Sequence, residues 1–133
     1  MVLGYKTTRI ITLTEQHINT YTALTGDYNP LHFDVSFATQ TKFGRLVVKG
    51  GLTTGLLNAL VAMDNPGPGT IFLSQNWNFT APVYFGDTIT AEDEMLSVHE
   101  SKLINQMGFK ITRQDGETIL ERVSWCFTFS PDE

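Results

Sequence analysis

Apolar and polar positions divide the chain into a mainly helical first half and a second half of strands. Apolar side chains recur at helical spacing over residues 52–63, which predicts a second, buried helix that opens at Gly50 and Gly51. Before it, the pattern predicts a strand over Lys6–Leu13 and a short helix over Glu15–Leu24. Residues 27–48 have no regular period. They predict a long loop with one or two short helical turns, and such loops usually carry function.

From residue 71 onward, apolar positions alternate with polar ones, as is typical of half-buried strands. The alternation predicts strands over residues 71–79, 88–98, 103–112 and 118–129. In the last of these, four large apolar side chains are expected to point inward: Val123, Trp125, Phe127 and Phe129. A buried helix followed by antiparallel strands predicts an α+β fold in which the sheet wraps around the helix. The length of 133 residues fits one domain spanning residues 1–133.

Composition excludes several classes of protein. The net charge of -5 argues against a general nucleic-acid binder. No apolar run approaches the roughly 20 residues needed to span a bilayer, and the first residues lack the pattern of a secretion signal. The single cysteine, Cys126, cannot form an internal disulfide and lies in an apolar strand pattern. We therefore expect a cytoplasmic protein with no membrane contact and with Cys126 as a buried core thiol.

The few basic residues are unevenly placed. Lys42, Arg45 and Lys49 all fall between Asp34 and Asp64, a stretch with no acidic residue. Such a cationic region can attract phosphates or an acidic partner protein. On this evidence alone, scattered surface charge is the simpler interpretation.

Asp27 and His32 are the residues best suited to chemistry in the irregular region. Asn29-Pro30 between them favours a defined turn, so both side chains can be held in place. A carboxylate and an imidazole that converge on one water can exchange protons with it near neutral pH. Taken alone, the same spacing is better explained by a turn in which Asp27 caps an amide.

Other kinds of site are less well supported. Asp34 would complete a metal site with Asp27 and His32, but the set of ligands is thin and no metal is expected. The Gly50-Gly51 step lets a ligand approach the free amides at the start of a buried helix. Those amides could stabilise negative charge on a thioester oxygen, although close packing explains the two glycines equally well.

Together these residues resemble the MaoC-like family of (R)-specific enoyl-CoA hydratases and related dehydratases, which have the hot-dog fold. The similarity is carried by a Gly-Asp-x-Asn-Pro-x-His pattern within Tyr21–His32 and by a later stretch, Phe79–Asp87. Between them, further positions match the family: Asp34, Phe37-Ala38, Thr41, Phe43-Gly44 and Gly50. The resemblance spans most of the chain and makes Asp27 and His32 the expected catalytic pair.

The resemblance also implies roles for individual residues. The irregular region, residues 27–48, would be an overhanging segment that delivers Asp27 and His32 to hold the water that adds to a trans-2-enoyl thioester. The Gly50 amide would hold the thioester oxygen. Coenzyme A or phosphopantetheine would be part of the substrate, with no redox cofactor or metal, and the protein would be a homodimer. The expected substrate-binding residues are Asn29, Asn58, Lys42, Arg45, Lys49 and Gly51.

The chain departs from the family at the start of the buried helix. Members usually have His-Gly followed by a large apolar residue, whereas here the sequence is Lys49-Gly50-Gly51. The second glycine would loosen the helix start or enlarge the space beside the thioester, so the departure concerns the substrate more than the reaction. Three alternatives to a CoA-linked hydratase stay open: a dehydratase acting on an acyl carrier protein, a hot-dog thioesterase, and a non-catalytic module that binds acyl thioesters.

Overall fold

A computed structural model describes residues 2–99, 101 and 103–129, so the predicted domain over residues 1–133 is covered apart from residues 1, 100, 102 and 130–133. Within the described part, one antiparallel sheet has the spatial order β1-β3-β4-β5-β2. Its strands are β1 (Lys6–Thr12), β2 (Thr70–Phe72), β3 (Thr88–His99), β4 (Ile104–Arg113) and β5 (Thr118–Thr128).

The helices lie almost entirely in the first half of the chain, as the pattern predicts. They are α1 (Glu15–Thr25), α2 (Val35–Thr39) and α3 (Gly50–Ala59), with a 3-10 turn at Pro30–His32 and a π-helical turn at Leu60–Asp64 that continues α3. In the described part of the chain, no helix is both long enough and apolar enough to cross a membrane.

The core forms where α3 and its π-helical continuation pack against one face of the sheet. Leu57, Leu60 and Val61 are buried in one cluster with apolar residues of β3, β4 and β5, among them Met95, Met107, Ile111, Leu120 and Cys126. The predicted α+β fold with a helix wrapped by an antiparallel sheet is therefore confirmed.

α1 begins and ends where its capping residues require. Thr14 is the N-cap and accepts a hydrogen bond from the His17 amide, which satisfies one of the free donors of the first turn. Gly26 follows the last turn with φ of 74°, a left-handed conformation that glycine adopts without steric cost. This glycine ends α1 directly before Asp27 and so sets the point at which the overhanging segment starts.

The prediction of one continuous strand over residues 71–79 is wrong in its length. β2 contains only Thr70–Phe72, and pairing with β5 resumes at a bridge between Phe79 and Leu120. The amides of Leu73 and Ser74 still donate to the Trp125 carbonyl, and the chain then leaves the edge of β5. In this interval Gln75 donates a side-chain hydrogen bond to Asn58 of α3, where the alternation predicts sheet pairing.

The inward face of β5 is also the opposite of the one predicted. Val123 and Trp125 are each 44% exposed, and Phe129 is 55% exposed. Buried instead are Leu120, Ser124 and Cys126, which are smaller on average and face the core beside α3. The largest apolar side chains of β5 therefore form an outer surface of the sheet.

Candidate functional site

A cavity of about 480 Å³ lies between the overhanging segment, the start of α3 and the stretch that precedes β3. It brings together His32, Gly50 and Lys42, three of the residues that the sequence nominates. Its other lining residues are Phe43, Val47, Val48, Thr53, Phe79, Thr80, Ala81, Pro82, Val83 and Ile119.

His32 is held in one orientation at this cavity. Its side chain is buried, and Nδ1 lies 2.5 Å from the carbonyl oxygen of Val47. A carbonyl oxygen can only accept a hydrogen bond, so Nδ1 carries the proton and donates it to Val47. In the neutral ring, Nε2 is then left with a free lone pair. His32 can therefore accept a proton from a molecule in the cavity.

The overhanging segment is anchored on both sides of His32. The Val47 amide donates to the Leu31 carbonyl, and the Val48 amide donates to the Val83 carbonyl at 2.7 Å. These bonds connect the 3-10 turn, the strand-like residues before α3 and the stretch before β3. The imidazole is thus positioned by backbone contacts from both ends of the loop.

The start of α3 presents free backbone donors at the same cavity. The first amides of a helix have no acceptor within the helix, and the N-cap residue, Lys49, makes no side-chain capping bond. Gly50 is the first helical residue and lines the cavity. A Cβ at Gly50 would lie 2.7 Å from Cζ of Phe79, so a larger residue at this position would require the ring to move. The helix start can therefore hold an anionic or strongly polarised oxygen.

Gly51 does not enlarge the site. A Cβ at Gly51 would lie 1.9 Å from the hydroxyl oxygen of Tyr21, far inside van der Waals contact. The second glycine of the Gly50-Gly51 pair is therefore explained by packing of α1 against α3, and the space that it leaves is occupied by Tyr21.

Asp27 does not line the cavity, although it directly follows α1 in the overhanging segment. Its carboxylate is about half exposed, and Oδ1 accepts a hydrogen bond from the Asn29 amide at 3.2 Å. Oδ2 lies 3.7 Å from Nζ of Lys49. Because Lys49 directly precedes Gly50, this contact connects Asp27 with the helix start that borders the cavity.

The three basic residues have different environments. Lys42 is exposed at the cavity, where its ammonium lies 5.4 Å from the centre of the Phe43 ring. Arg45 is exposed and stacks on Tyr84 at 3.7 Å. Lys49 is only 3% exposed, which places its ammonium inside the protein rather than where phosphates would bind. The predicted phosphate contact is thus compatible with the positions of Lys42 and Arg45 but not with that of Lys49.

Other polar residues nominated from the sequence have structural contacts. Asn29 caps the 3-10 turn through a bond from the Leu31 amide, and Asp34 caps α2 through a bond from the Phe37 amide. Asn58 is exposed on α3, accepts a hydrogen bond from Gln75 and does not line the cavity. Sequence reasoning missed Thr53, which lies one turn after Gly50 and lines the cavity. A signal for it was its spacing from Gly50 on the same helix.

Cys126 is not a nucleophile in this structure. The thiol is fully buried, and its burial, with a smaller contribution from the charge of Asp93, raises the pKa of Cys126 to about 12. Among residues 2–99, 101 and 103–129, no three His, Cys, Asp or Glu side chains are grouped closely enough to hold a metal ion. The cavity offers a proton acceptor at His32 and hydrogen-bond donors at the start of α3.

Comparison with known proteins supports this interpretation. The chain matches the model of the MaoC like domain over residues 4–115. It is 41% identical over 96 residues, 72% of each chain, to an (R)-specific enoyl-CoA hydratase of Aeromonas caviae. It is 34% identical over 112 residues to a mitochondrial 3-hydroxyacyl-[acyl-carrier-protein] dehydratase of Solanum lycopersicum, covering 83% of this chain and 67% of the relative. The solved structure of an (R)-hydratase of A. caviae involved in PHA biosynthesis superposes with a TM-score of 0.91 at 32% identity, covering 97% of this chain and 98% of that one.

Proposed function

This chain belongs to the family of MaoC-like domains and has the hot-dog fold of the (R)-hydratases, and from that premise we propose that it interconverts trans-2-enoyl and (R)-3-hydroxyacyl thioesters, with coenzyme A as the thiol. The enzyme is a hydro-lyase of the (R)-specific enoyl-CoA hydratase type. The observation that carries the proposal is the cavity shared by His32 and the amide end of α3.

In the hydration direction, water adds across the C2–C3 double bond. Asp27 and His32 hold the water between them, and the free Nε2 of His32 accepts its proton as the oxygen attacks C3. The new C3–O bond forms while the π electrons move toward the thioester, and a proton is then delivered to C2. The orientation of His32 supports this role, since the bond from Nδ1 to Val47 leaves Nε2 available.

Negative charge gathers on the thioester oxygen as water attacks. The Gly50 amide would donate a hydrogen bond to that oxygen, assisted by the positive end of the α3 dipole. The place of Gly50 beside the cavity, as the first residue of α3, supports this assignment.

Further features of the substrate complex and the assembly are part of the proposal. Lys42 and Arg45 are exposed cations on the loop before α3 and would pair with the phosphates of the nucleotide. The substrate carries coenzyme A or phosphopantetheine, and no redox cofactor or metal takes part. The active form is a homodimer, and the cytoplasmic location stays a prediction from the sequence.

Turnover of crotonyl-CoA tests the function directly. The purified protein should remove the ultraviolet absorbance of the enoyl thioester and form (R)-3-hydroxybutyryl-CoA, identified by chiral chromatography. No hydration with enoyl-CoA of any chain length, by protein that melts cooperatively, would contradict the proposal and leave the carrier-protein dehydratase, the thioesterase and a non-catalytic binding module as the alternatives.

A dehydratase that acts on an acyl carrier protein is the second candidate. The cations Lys42 and Arg45 would suit an acidic carrier protein as well as coenzyme A, and a relative with that substrate in its name shares 34% of aligned residues. Crotonyl thioesters of coenzyme A and of a carrier protein should be compared at equal concentration. A strong preference for the carrier would favour this candidate over the first.

Hot-dog thioesterase activity has a separate signature in the same assay. Hydrolysis would release free thiol, which Ellman's reagent detects, whereas hydration leaves the thioester intact. Because Cys126 is buried with a raised pKa, the thiol of the native enzyme should add little background. Stoichiometric thiol release without formation of a hydroxyacyl product would assign the thioesterase reaction instead.

A further inference from the structure

Lys49 is a buried cation beside the proposed active site. Its side chain is 3% exposed, and Nζ donates to Oγ1 of Thr22 at 2.5 Å and to the backbone carbonyl of Asp27. Its third polar neighbour is Oδ2 of Asp27 at 3.7 Å. The rings of Tyr21 and Phe33 flank the ammonium, with centres 5.7 and 5.2 Å away.

This position is electrostatically unfavourable for a cation unless the surrounding groups compensate. Lys49 is the N-cap of α3, where the helix dipole is positive, and the first turn of α3 contains no acidic residue. Burial of an ammonium also removes its hydration, which costs several kcal/mol before compensation. The compensation comes from the carbonyl and carboxylate of Asp27, from the Thr22 hydroxyl and from the two flanking rings. The charge of Lys49 therefore acts on the residue proposed to hold the water.

The contacts of Lys49 connect two parts of the site that are distant in sequence. Its backbone immediately precedes Gly50, whose amide faces the thioester oxygen in the proposed reaction, and its ammonium holds the peptide and carboxylate of Asp27. One side chain thus determines where the water-holding carboxylate sits relative to the start of α3. The carboxylate of Asp27 is otherwise about half exposed and accepts a local turn bond from the Asn29 amide, while the Asp27 amide donates to Oγ1 of Thr25.

We propose that Lys49 is a positioning residue that holds Asp27 in its catalytic place, and that it makes no contact with the phosphates of the substrate. The inference rests on the proposed hydratase function. It gives Lys49 a role in the water site. Misplacement of a reacting group by about 1 Å can lower the rate by roughly a hundredfold, so the contribution of Lys49 should be measurable in kcat.

The first experiment removes the charge of Lys49 and keeps a side chain of similar volume. Lys49→Met should lower kcat for crotonyl-CoA hydration by about 10- to 100-fold, with KM changed by less than about threefold. The melting temperature should stay within about 5 °C of the parent's. Lys110→Met, on an exposed position of β4, is the matched control and should retain parental kcat and KM. If Lys49→Met does not yield folded protein, Lys49→Gln takes its place with the same expectations.

A double-mutant cycle tests whether Lys49 acts through Asp27. In an Asp27→Asn background, Lys49→Met should lower the residual kcat by less than about threefold, because the carboxylate that it positions is already gone. An equal loss of kcat in both backgrounds would overturn the proposal. A tenfold rise in KM with unchanged kcat would also overturn it and assign Lys49 to substrate binding, and a large fall in melting temperature with unchanged kcat would leave only a structural role.

The same measurements separate this inference from the proposed function. If the parent does not hydrate enoyl thioesters, the function itself is wrong. If the parent is active and the cycle is additive, the hydratase function stands and only the role of Lys49 is wrong.

Discussion

At the scale of single residues, burial distinguishes side chains that look alike in the sequence. Lys42 and Lys49 both lie in the same basic stretch, yet the first is exposed at the cavity and the second is 3% exposed. The sequence predicts their charge but not their direction, because the partners of Lys49 come from α1 and the overhanging segment, more than 20 residues away. The apolar neighbours Val47 and Val48 were the local signal of burial, and both are buried too.

Asp93 is a second buried charge, outside the site, and it predicts how stability changes with pH. Oδ1 accepts bonds from Thr7 and Asn65, while Oδ2 has no hydrogen-bond partner among the residues that the structure describes. Burial outweighs these bonds and raises the pKa of Asp93 above its ordinary value of 3.8. A raised pKa in the folded state means that stability is greatest below the unfolded-state pKa and falls as pH rises through the folded-state pKa.

Replacement of Asp93 by asparagine should therefore remove this loss of stability at higher pH. Relative to the parent, Asp93→Asn should gain in free energy of unfolding as the pH is raised from about 4 toward neutrality. Asp64→Asn is the opposite control, because a hydrogen bond from Arg9 lowers the pKa of Asp64, and its loss should cost stability at neutral pH but not in acid. Urea unfolding at several pH values measures both. A difference between parent and Asp93→Asn that does not vary with pH would contradict the account.

At the scale of elements, the sequence predicts helix caps and turns better than it predicts which face of a strand is buried. Thr14 begins α1, and Gly26 and the hairpin turn at Gly116 end elements where local chemistry requires, with φ of 74° and 84° at the two glycines. The inward face of β5 was predicted wrongly, since large apolar residues alternate with Ser124 and Cys126, and the smaller pair faces the core. The space available beside α3 determines which face of β5 is buried, and that space depends on tertiary packing.

Within α3, two glycines should respond in opposite ways to the same substitution. Gly51→Ala would place a methyl group against the Tyr21 hydroxyl and should lower the free energy of unfolding by about 1–3 kcal/mol. Gly55→Ala meets nothing within 4 Å and should raise it by about 0.5–1 kcal/mol, since alanine favours helix.

Removal of the Tyr21 hydroxyl tests whether this group constrains position 51. Tyr21→Phe combined with Gly51→Ala should recover part of the lost stability in urea unfolding. Equal effects of Gly51→Ala and Gly55→Ala would show that Tyr21 does not constrain position 51.

At the scale of the whole molecule, one edge of the sheet is suited to a second copy of the chain. β2 is the edge strand, and exposed apolar side chains surround it on the outer face: Ile71, Leu73, Val123, Trp125 and Phe129. An open edge with an apolar flank favours association, and a two-fold pairing of identical edges is the simplest closed assembly. These exposed residues support the homodimer that the resemblance implies.

A dimer that forms through β2 should respond differently to substitutions at the two edges of the sheet. Light scattering after gel filtration should give the parent twice the mass of one chain. Ile71→Glu on β2 should shift the protein toward the mass of a single chain, while Ile10→Glu, an exposed isoleucine on the opposite edge strand, should leave the dimer intact. A monomeric parent, or equal effects of the two changes, would contradict the assignment of this edge.

The central claim is that Asp27 and His32 together activate water. The most direct test is kcat for crotonyl-CoA hydration in Asp27→Asn and His32→Ala, with Asp115→Asn and His99→Ala as exposed controls of the same residue types. Each site variant should lose at least about a hundredfold in kcat, within the usual range for general acid–base groups, with little change in melting temperature. Both controls should match the parent. Site variants that hydrate crotonyl-CoA as fast as the parent would contradict the mechanism.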